Sequence, residues 1–463
     1  DNLGMTDLQL ESVTSLQENL HRALEHLSEG LYSKDNHFVM ELIQNADDND
    51  YLDGITPELN FFVDNSRIHI INNEKGFFEE NVKSICSVGE STKKNRKIEG
   101  YIGEKGIGFK SVFIISDEPH IFSNGYQFKF RQKNSNEKLG FIVPYWVEEK
   151  FEFIEESKTN IILPIRPTMM SEVNKFNDFD HSLLLFMKKL KKIEINNISK
   201  KISVERKDRG NNIELYINGK NEIWKLVKQQ IEIPKTLVEH KKKKITSTEI
   251  VLAFPLDESL NAKTDNKFNI FAFLPVRNYG FRFIIQADFL LTSNREDLYK
   301  DREWNKNIRD NISKAFFSAI ESFKNDESLK YSYYSYLPEE NEISDSFFEI
   351  VTEGIYEVVK NNNSIFTEGN NWKYPKDTVF VDDLFRDVIS NKDLISFFNK
   401  EYISNKIIAK KSILKKLGVS DLSKENLFEF LKNSSWLQGR EILWFNKLYE
   451  LLDNLDVKRE DFE

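Results

Sequence analysis

Glu41-Leu42-Ile43-Gln44-Asn45-Ala46-Asp47-Asp48 is the stretch that predicts the fold most directly. As a helix, it places Glu41, Asn45 and Asp48 one and two turns apart, so the three side chains share one face. Two carboxylates and an amide oxygen suit a magnesium ion, which takes its other ligands from water and phosphate, and a carboxylate beside such an ion can activate water. A polar helix face is also commonly just solvated, so this stretch alone leaves both interpretations open.

A glycine-rich loop follows further along the chain, Gly103-Glu104-Lys105-Gly106-Ile107-Gly108. Glycine lets the backbone approach a phosphate and turn its N–H groups toward it, and a helix beginning at Gly108 would add a favourable partial charge. The loop lacks the ending of a P-loop and the placement of a Rossmann loop. The alternative interpretation is a tight hinge beside a mobile lid, which we predict at the Lys-rich segment 89–100.

Two further motifs complete the series. Ile71-Asn72-Asn73-Glu74-Lys75-Gly76-Phe77 ends one predicted strand, and Lys158-Thr159-Asn160-Ile161-Ile162-Leu163 lies on another. The order of the four motifs along the chain is the observation that most restricts the possible functions of the protein.

The composition is that of a globular chain with more than one domain. For 463 residues, 40% of them hydrophobic and 30% charged, two or three domains are expected. The net charge of −10 disfavours a chain-wide nucleic-acid surface, although a local basic patch is compatible with it. Cys86 is the only cysteine, which favours a reducing, cytoplasmic location. We interpret it as a small apolar residue rather than a nucleophile, and we expect no membrane span.

Hydrophobic periodicity predicts an α+β protein. We expect helices over residues 7–31, 36–49, 79–86 and 172–193, a helix or turn at 109–113, and a mostly helical chain beyond about residue 304. We expect strands at residues 59–63, 67–71, 119–122, 127–131, 159–164, 194–205, 212–217, 247–254, 268–275 and 281–288.

In this order the four motifs resemble those of the GHKL superfamily, which includes gyrase, heat-shock-type chaperones, histidine kinases, MutL and MORC proteins. A closer resemblance, to the sacsin and No Vein-like group, is carried by residues 31–49, by Ile85-Cys86-Ser87-Val88-Gly89-Glu90-Ser91-Thr92-Lys93-Lys94 and by residues 101–113. A second similar region begins at Phe271-Ala272-Phe273-Leu274-Pro275 and runs to Arg295-Glu296-Asp297.

The resemblance implies a fold and an activity. It implies a Bergerat-fold α/β sandwich ATPase domain over residues 1–165, an α/β transducer-like domain over 166–325 and a mostly helical region over 326–463, expected to be part of a longer protein. The implied function is an ATP- and Mg²⁺-dependent conformational switch that hydrolyses ATP, with a homodimer or a partner effector protein, in a bacterial defence or nucleic-acid-associated system. The alternative is a nucleotide-gated, chaperone-like or binding module with little hydrolysis.

The resemblance also assigns roles to individual residues. Glu41 matches the glutamate that acts as the general base. Asn45 matches the asparagine that binds magnesium, and Glu41 would lie beside the same ion. Asp48 matches the aspartate that lines the pocket. The glycine loop and two lysines are implied to bind phosphate: Gly103, Gly106, Gly108, Lys105 and Lys110. Gly76 matches a glycine of the first glycine box, and Thr159 matches a threonine near the adenine. Arg295, with Gln286 as a weaker candidate, matches a residue of the second domain that reaches the terminal phosphate.

The first glycine box departs from the usual Asp-x-Gly-x-Gly. Asn72 stands where the aspartate would bind the adenine amino group, and Glu74 replaces the first glycine. An Asn side chain can accept the same hydrogen bond, but its amide can equally donate one. Adenine selectivity is therefore less constrained by the motif than phosphate binding.

Overall fold

The computed structural model of the chain describes residues 15, 37–87, 108–131, 140, 142–169, 180–198, 200–237, 245–292, 296–339, 341–343 and 345–458. The chain divides into two compact units, and each is described by itself. The first comprises Asp1–Trp224, Phe271–Arg277 and Phe289–Tyr299, and the second comprises Lys225–Ile270, Asn278–Asp288 and Lys300–Glu463. The predicted helix 7–31, apart from residue 15, and the predicted lid 89–100 lie outside the described residues, and the three-domain division stays a prediction.

The first unit contains α-helices, 3₁₀ helices and most of the strands. Its described helices are α1 (His37–Asp48), α2 (Glu79–Ile85) and the 3₁₀ helices Gly108–Ile114 and His181–Leu185. Its strands are β1 (Glu58–Val63), β2 (Arg67–Asn72), β3 (His120–Ser123), β4 (Tyr126–Lys129), β5 (Tyr145–Trp146), β6 (Thr159–Pro164), β7 (Lys192–Asn197), β8 (Lys201–Arg209) and β9 (Asn212–Ile217). Three more strands include residues of both units: β10 (Lys220–Glu232), β12 (Asn269–Ala272) and β13 (Leu274–Asn278).

Strands β1 to β9 are neighbours in a mixed sheet, in the order β9-β8-β7-β1-β2-β6-β3-β4-β5. The pair of β1 and β7 is parallel, while the other neighbouring pairs in this series are antiparallel. In β1, Leu59, Phe61 and Val63 are buried and alternate with more exposed residues, which is the period-2 pattern that predicted the strand. The expected strands 59–63, 67–71 and 159–164 are confirmed within one residue, as is the α+β class.

The apolar side of α1 is buried as expected. Phe38, Val39, Leu42 and Ile43 are each at most 4% exposed. The helix contacts the 3₁₀ helix Gly108–Ile114, which is the turn expected at residues 109–113. This packing fixes α1 beside the segment that follows the glycine loop.

The helix expected over residues 172–193 is wrong in its described part. A 3₁₀ helix spans His181–Leu185, and β7 begins at Lys192. Side chains from elsewhere hold the backbone groups that an α-helix would pair internally. Arg206 Nη1 donates to the carbonyls of residues 184, 185 and 187, and the Asp47 carboxylate accepts from the N–H groups of residues 188, 189 and 190 at 2.8–3.0 Å.

The strand predictions also need correction. The single strand expected over 194–205 is a hairpin of β7 and β8, closed by backbone hydrogen bonds between Asn197 and Lys200. The 13-residue strand β10 was missed because charged residues interrupt its alternation. Lys225 in β10 is 6% exposed and forms an ion pair with Asp326 at 3.1 Å. A lysine that the sequence suggests is exposed is therefore buried together with a charged partner.

The second unit is mixed near its start and mostly helical later. Strand β11 (Ser247–Leu256) pairs antiparallel with β14 (Ile284–Ala287). Its helices are α3 (Glu303–Phe323), α4 (Leu329–Ser332), α5 (Ser346–Lys360), α6 (Asp383–Val388), α7 (Asn391–Phe398), α8 (Lys411–Leu417), α9 (Lys424–Leu431), α10 (Ser434–Leu437) and α11 (Ile442–Asn454). Four short strands, β15 (Ile365–Phe366), β16 (Trp372–Lys373), β17 (Thr378–Val379) and β18 (Glu401–Tyr402), interrupt the expected helical region.

Aromatic side chains fill the core of this unit. The Phe254 ring lies 5.0–5.9 Å from the rings of Phe283, Phe316, Phe323 and Tyr336, measured between centroids. Such offset and edge-to-face pairs stabilise beyond their buried area. No helix among the described residues of the chain is long and apolar enough to cross a membrane.

We predict that Asp47→Ala lowers the free energy of unfolding of the first unit by roughly 3–5 kcal/mol, because it removes three charge-assisted hydrogen bonds and leaves their donors unmatched. Urea denaturation followed by intrinsic fluorescence measures this. Asp53→Ala removes an exposed carboxylate shortly after α1 and is the matched control, with an expected change within about 0.5 kcal/mol. Equal, small effects of the two variants would contradict the role of Asp47.

Candidate functional site

The polar face of α1 is buried rather than solvated. Glu41 is 6% exposed and Asp48 is 5% exposed, while Asn45 between them is partly exposed. Burying a carboxylate is unfavourable unless hydrogen-bond donors or cations compensate it. This face is therefore not simply solvated. Its buried carboxylates require compensating contacts.

Asn72 braces the end of β2 against β1 and the chain after α1. Its Nδ2 donates to the Tyr51 hydroxyl at 2.9 Å and to the Glu58 carbonyl at 2.8 Å. Its Oδ1 accepts from Asn49 Nδ2 at 3.1 Å. The Tyr51 hydroxyl in turn donates to the carbonyl of Ala46 at 2.7 Å. The role predicted for Asn72 in adenine recognition stays a prediction, and these bonds give it a structural role.

Tyr51 is held as a neutral donor. Burial raises its pKa well above the ordinary value, the charges of Asp47 and Glu74 raise it further, and the hydrogen bond from Asn72 opposes them. The phenol therefore keeps its proton throughout the physiological range. That proton secures the carbonyl of Ala46 in the last turn of α1.

Glu74, Thr159 and Ser123 form a buried polar group beside this brace. Thr159 Oγ1 donates to Glu74 Oε1 at 2.5 Å, and the Ser123 and Thr159 hydroxyls are 2.5 Å apart. The backbone N–H of Phe77 donates to Ser123 Oγ at 2.9 Å. Glu74 is 9% exposed, Thr159 3% and Ser123 3%. The threonine predicted to lie near the nucleotide base is thus bonded directly to the glutamate that replaces a glycine of the motif.

Gly76 makes the turn between these groups. Its φ of +89° is disfavoured for residues with a side chain. An added Cβ would also lie 2.7 Å from Asn124 Cβ, and Asn124 Nδ2 donates to the carbonyl of Phe77 at 3.0 Å. Both the backbone angle and the close approach therefore require glycine here.

The ammonium group of Lys110 is buried at the end of α2. Its Nζ donates to the carbonyl of Ile85 at 2.7 Å and lies 4.6 Å from the centroid of the Phe130 ring. Burial lowers the pKa of Lys110 to about 8. Its predicted role near the phosphates stays a prediction. Cys86 follows at the C-cap of α2, where burial raises the pKa of the thiol, in keeping with a residue that is not a nucleophile.

The structure describes some of the remaining candidate residues and not others. Gly108 begins a 3₁₀ helix. Gln286 is buried in β14, opposite Val251 in β11. Gly103, Lys105, Gly106 and Arg295 lie outside the described residues. The ends of the segment that contains Arg295 are joined to each other, since the N–H of Thr292 donates to the carbonyl of Asp297 at 2.9 Å.

The oxygen atoms on the polar face of α1 could supply part of the ligand shell of a magnesium ion. Among the described residues, no group of three or more His, Cys, Asp or Glu side chains is arranged to hold a metal ion. Magnesium commonly binds through one or two protein oxygens together with substrate phosphates and water. Glu41 and Asn45, one helical turn apart, fit that smaller share, so an ion here would depend on a phosphate ligand.

The similarity to known proteins covers most of this site. Residues 17–132 match the family described as Sacsin domain. That range contains α1, the Asn72 brace and Ser123, and ends before Thr159. The chain is 32% identical to Protein NO VEIN of Arabidopsis thaliana over 95% of this chain and 17% of that protein. It is 28% identical to Sacsin of Homo sapiens over 25% of this chain and 3% of that protein.

The chain therefore spans less than a fifth of the length of the curated relatives it matches. The matches support the resemblance to the sacsin and No Vein-like group that the motifs indicated.

We predict that Lys110 makes stability rise with pH above neutrality. With a folded pKa of about 8 against an ordinary value of 10.5, the cost of burying the charged amine is present below pH 8 and is relieved between pH 8 and 10.5. From pH 7.5 to 10, urea denaturation should show a gain on the order of 1–3 kcal/mol more for the wild type than for Lys110→Met.

Lys150→Met removes an exposed lysine of the same unit and should keep the wild-type pH dependence. The assignment fails if Lys110→Met keeps it as well.

Proposed function

We propose that the chain binds ATP with magnesium in a Bergerat-type pocket and hydrolyses it as a conformational switch of the sacsin and No Vein-like type. The observation that carries this proposal is the buried polar face of α1, where Glu41 and Asp48 are withdrawn from solvent on either side of Asn45. The similarity of residues 17–132 to the Sacsin domain family supports it.

Glu41 and Asn45 have the chemistry for the two tasks that hydrolysis requires. Bound magnesium would supply positive charge that offsets the charge developing on the phosphates. Asn45 would hold this ion through its amide oxygen, with Glu41 beside it. The Glu41 carboxylate would also accept a proton from the attacking water, and Asp48 would line the pocket one turn beyond Asn45.

The other elements of the proposed pocket come from glycine and arginine. The backbone N–H groups of Gly103, Gly106 and Gly108 would bind phosphate oxygens, which requires no side chain. Arg295 would stabilise charge on the terminal phosphate, an effect that in phosphoryl transfer is worth orders of magnitude in rate.

We predict that Glu41→Gln retains ATP binding and loses roughly 10²–10⁴-fold in turnover, because the amide keeps the size of the side chain and cannot take the proton. Calorimetry gives the affinity and a phosphate-release assay gives the rate. Glu156→Gln, a change at an exposed site in the same unit, should leave both values unaltered. Turnover at the wild-type rate in Glu41→Gln would remove Glu41 from this role.

The second candidate function is a nucleotide-gated, chaperone-like or binding module with little hydrolysis. The departure of the first glycine box favours it, since Asn72 and Glu74 replace an aspartate and a glycine. Affinities for ATP and ADP, measured alongside phosphate release, separate the two functions. Robust release that is abolished by Asn45→Ala would exclude the second one.

A role in a nucleic-acid-associated or defence system would proceed through a partner effector rather than by direct binding. With a net charge of −10, this chain should not bind duplex DNA even at about 50 mM salt, with or without ATP. Fluorescence anisotropy of labelled DNA tests this. Salt-sensitive binding in that assay would show a local basic surface and contradict the expectation.

A further inference from the structure

His69 and His120 are buried in one row on a face of the sheet in the first unit. His69 in β2 and His120 in β3 both lie opposite Ile162, from the two sides of β6. Side chains opposite one another in neighbouring strands share a face, so the three form a row. Each histidine is 7% exposed. A charge buried so deeply requires compensating partners, so the protonation of these rings depends on what covers them.

Residues 147–155 cover this row, and we call the segment the strap. The Phe153 ring lies edge-to-face with the His69 ring, with 5.2 Å between the centroids. The Phe151 ring makes the same kind of contact with the His120 ring at 6.1 Å. Both phenylalanines belong to a small apolar cluster, which comprises Phe122, Val147, Phe151, Phe153, Ile154 and Ile162. One short segment therefore covers both histidines and packs on the apolar residues between them.

The strap is anchored to the sheet at both ends. At one end, the Val147 N–H donates to the carbonyl of Gln127 at 3.0 Å. At the other end, the Glu155 N–H donates to Asn160 Oδ1 at 3.2 Å, and Asn160 Nδ2 donates to the carbonyl of Glu155 at 2.9 Å. Asn160 lies in β6, two residues before Ile162. The anchors fix where the strap leaves and rejoins the sheet, and the ring contacts hold the part between them.

His69 is held as a neutral ring. Its Nε2 lies 3.0 Å from Asn160 Oδ1, and because an amide oxygen only accepts, Nε2 carries the proton. A second proton would therefore bind at Nδ1. Burial lowers the pKa of His69, and the charge of Arg67 lowers it further. The hydrogen bond to Asn160 and the charge of Glu155 oppose these effects without cancelling them.

His120 is held as a neutral ring for a related reason. Its Nδ1 is buried and has no hydrogen-bond partner among the described residues. Burial lowers the pKa of His120, and the charge of Lys129 in β4 lowers it further. The backbone and charge of Glu118 and the charge of Glu149 raise the pKa, but the balance stays below the ordinary value.

We propose that the strap is a pH-sensitive cover of this face, held closed by neutral His69 and His120 and released when these rings are protonated. Release lets water reach the charged rings and uncovers the apolar cluster. The contribution of the two rings to closure is fully present above the ordinary pKa of 6.5 and is lost as the pH falls through 6.5 toward the lowered values. The inference goes beyond the proposed function, since it requires no nucleotide.

Hydrogen exchange of the full chain, followed by mass spectrometry at pH 7.5 and pH 6.0, measures the opening of the strap. Exposure times are corrected for the intrinsic pH dependence of exchange. In the wild type, the protection of the strap amides should fall by about 3-fold for each histidine, and by up to about 10-fold in total, at pH 6.0. Peptides from α1 report global unfolding and should keep their protection.

Glutamine variants assign the response, because glutamine is polar and does not titrate. His69→Gln and His120→Gln should each remove about 3-fold of the loss, and the double variant should remove all of it. His181→Gln removes a partly exposed histidine of the same unit outside the row and is the matched control, which should keep the wild-type response. Thermal unfolding at pH 7.5 confirms that each variant is folded, and if one single variant is not, the other decides the matter.

A loss of protection that is confined to the strap and absent from the double variant supports the proposal. Equal protection of the wild-type strap at both pH values overturns it. An equal loss in the wild type and the double variant assigns the response to other groups and overturns it as well. So does an equal loss in the strap and in α1, which is global unfolding rather than release of the strap.

Discussion

The buried Asp47 carboxylate ties α1 to a distant segment of the chain. It is 1% exposed and accepts three backbone hydrogen bonds from residues 188–190, which lie far along the chain. Since hydrogen bonds to a charged acceptor are stronger than neutral ones, this group joins α1 firmly to the segment that leads into β7. Strand β7 in turn lies beside β1 in the sheet. The helix that carries the candidate site is therefore held in two ways, by its contact with the 3₁₀ helix Gly108–Ile114 and by the hydrogen bonds of Asp47 to the segment before β7.

Different side chains of α1 thereby serve stability and the proposed chemistry. Asp47 is committed to the backbone of another segment, while Glu41, Asn45 and Asp48 are placed together on one face. At the end of the helix, Tyr51 keeps its proton and holds the last turn. The proposed ligand is highly charged, and a site for it would benefit from such support, because rigid supporting groups preserve the binding geometry.

Elements with strict local periodicity could be predicted from the sequence, and those decided by distant partners could not. Helix α1, strands β1, β2 and β6 and the shared face of the α1 motif follow from spacing alone. The helix expected at 172–193 failed because Asp47 and Arg206 take backbone groups there that a helix would pair internally, and no local pattern reports that. Strand β10 was not predicted because charged residues interrupt its alternation, and Asp326, the partner that permits burial of Lys225, lies far along the chain. The bracing role of Asn72 needed the structure, since one amide can serve either a ligand or the fold.

The brace made by Asn72 has an evolutionary consequence. An aspartate at this position, as in the usual motif, would have no protons to donate to the Glu58 carbonyl and would set a negative charge against it. A single substitution toward the usual motif would therefore weaken the packing of β2 before any gain in ligand recognition. The departure at position 72 is therefore tied to the fold as well as to any ligand, through the hydrogen bonds that Asn72 Nδ2 donates to the Glu58 carbonyl and the Tyr51 hydroxyl.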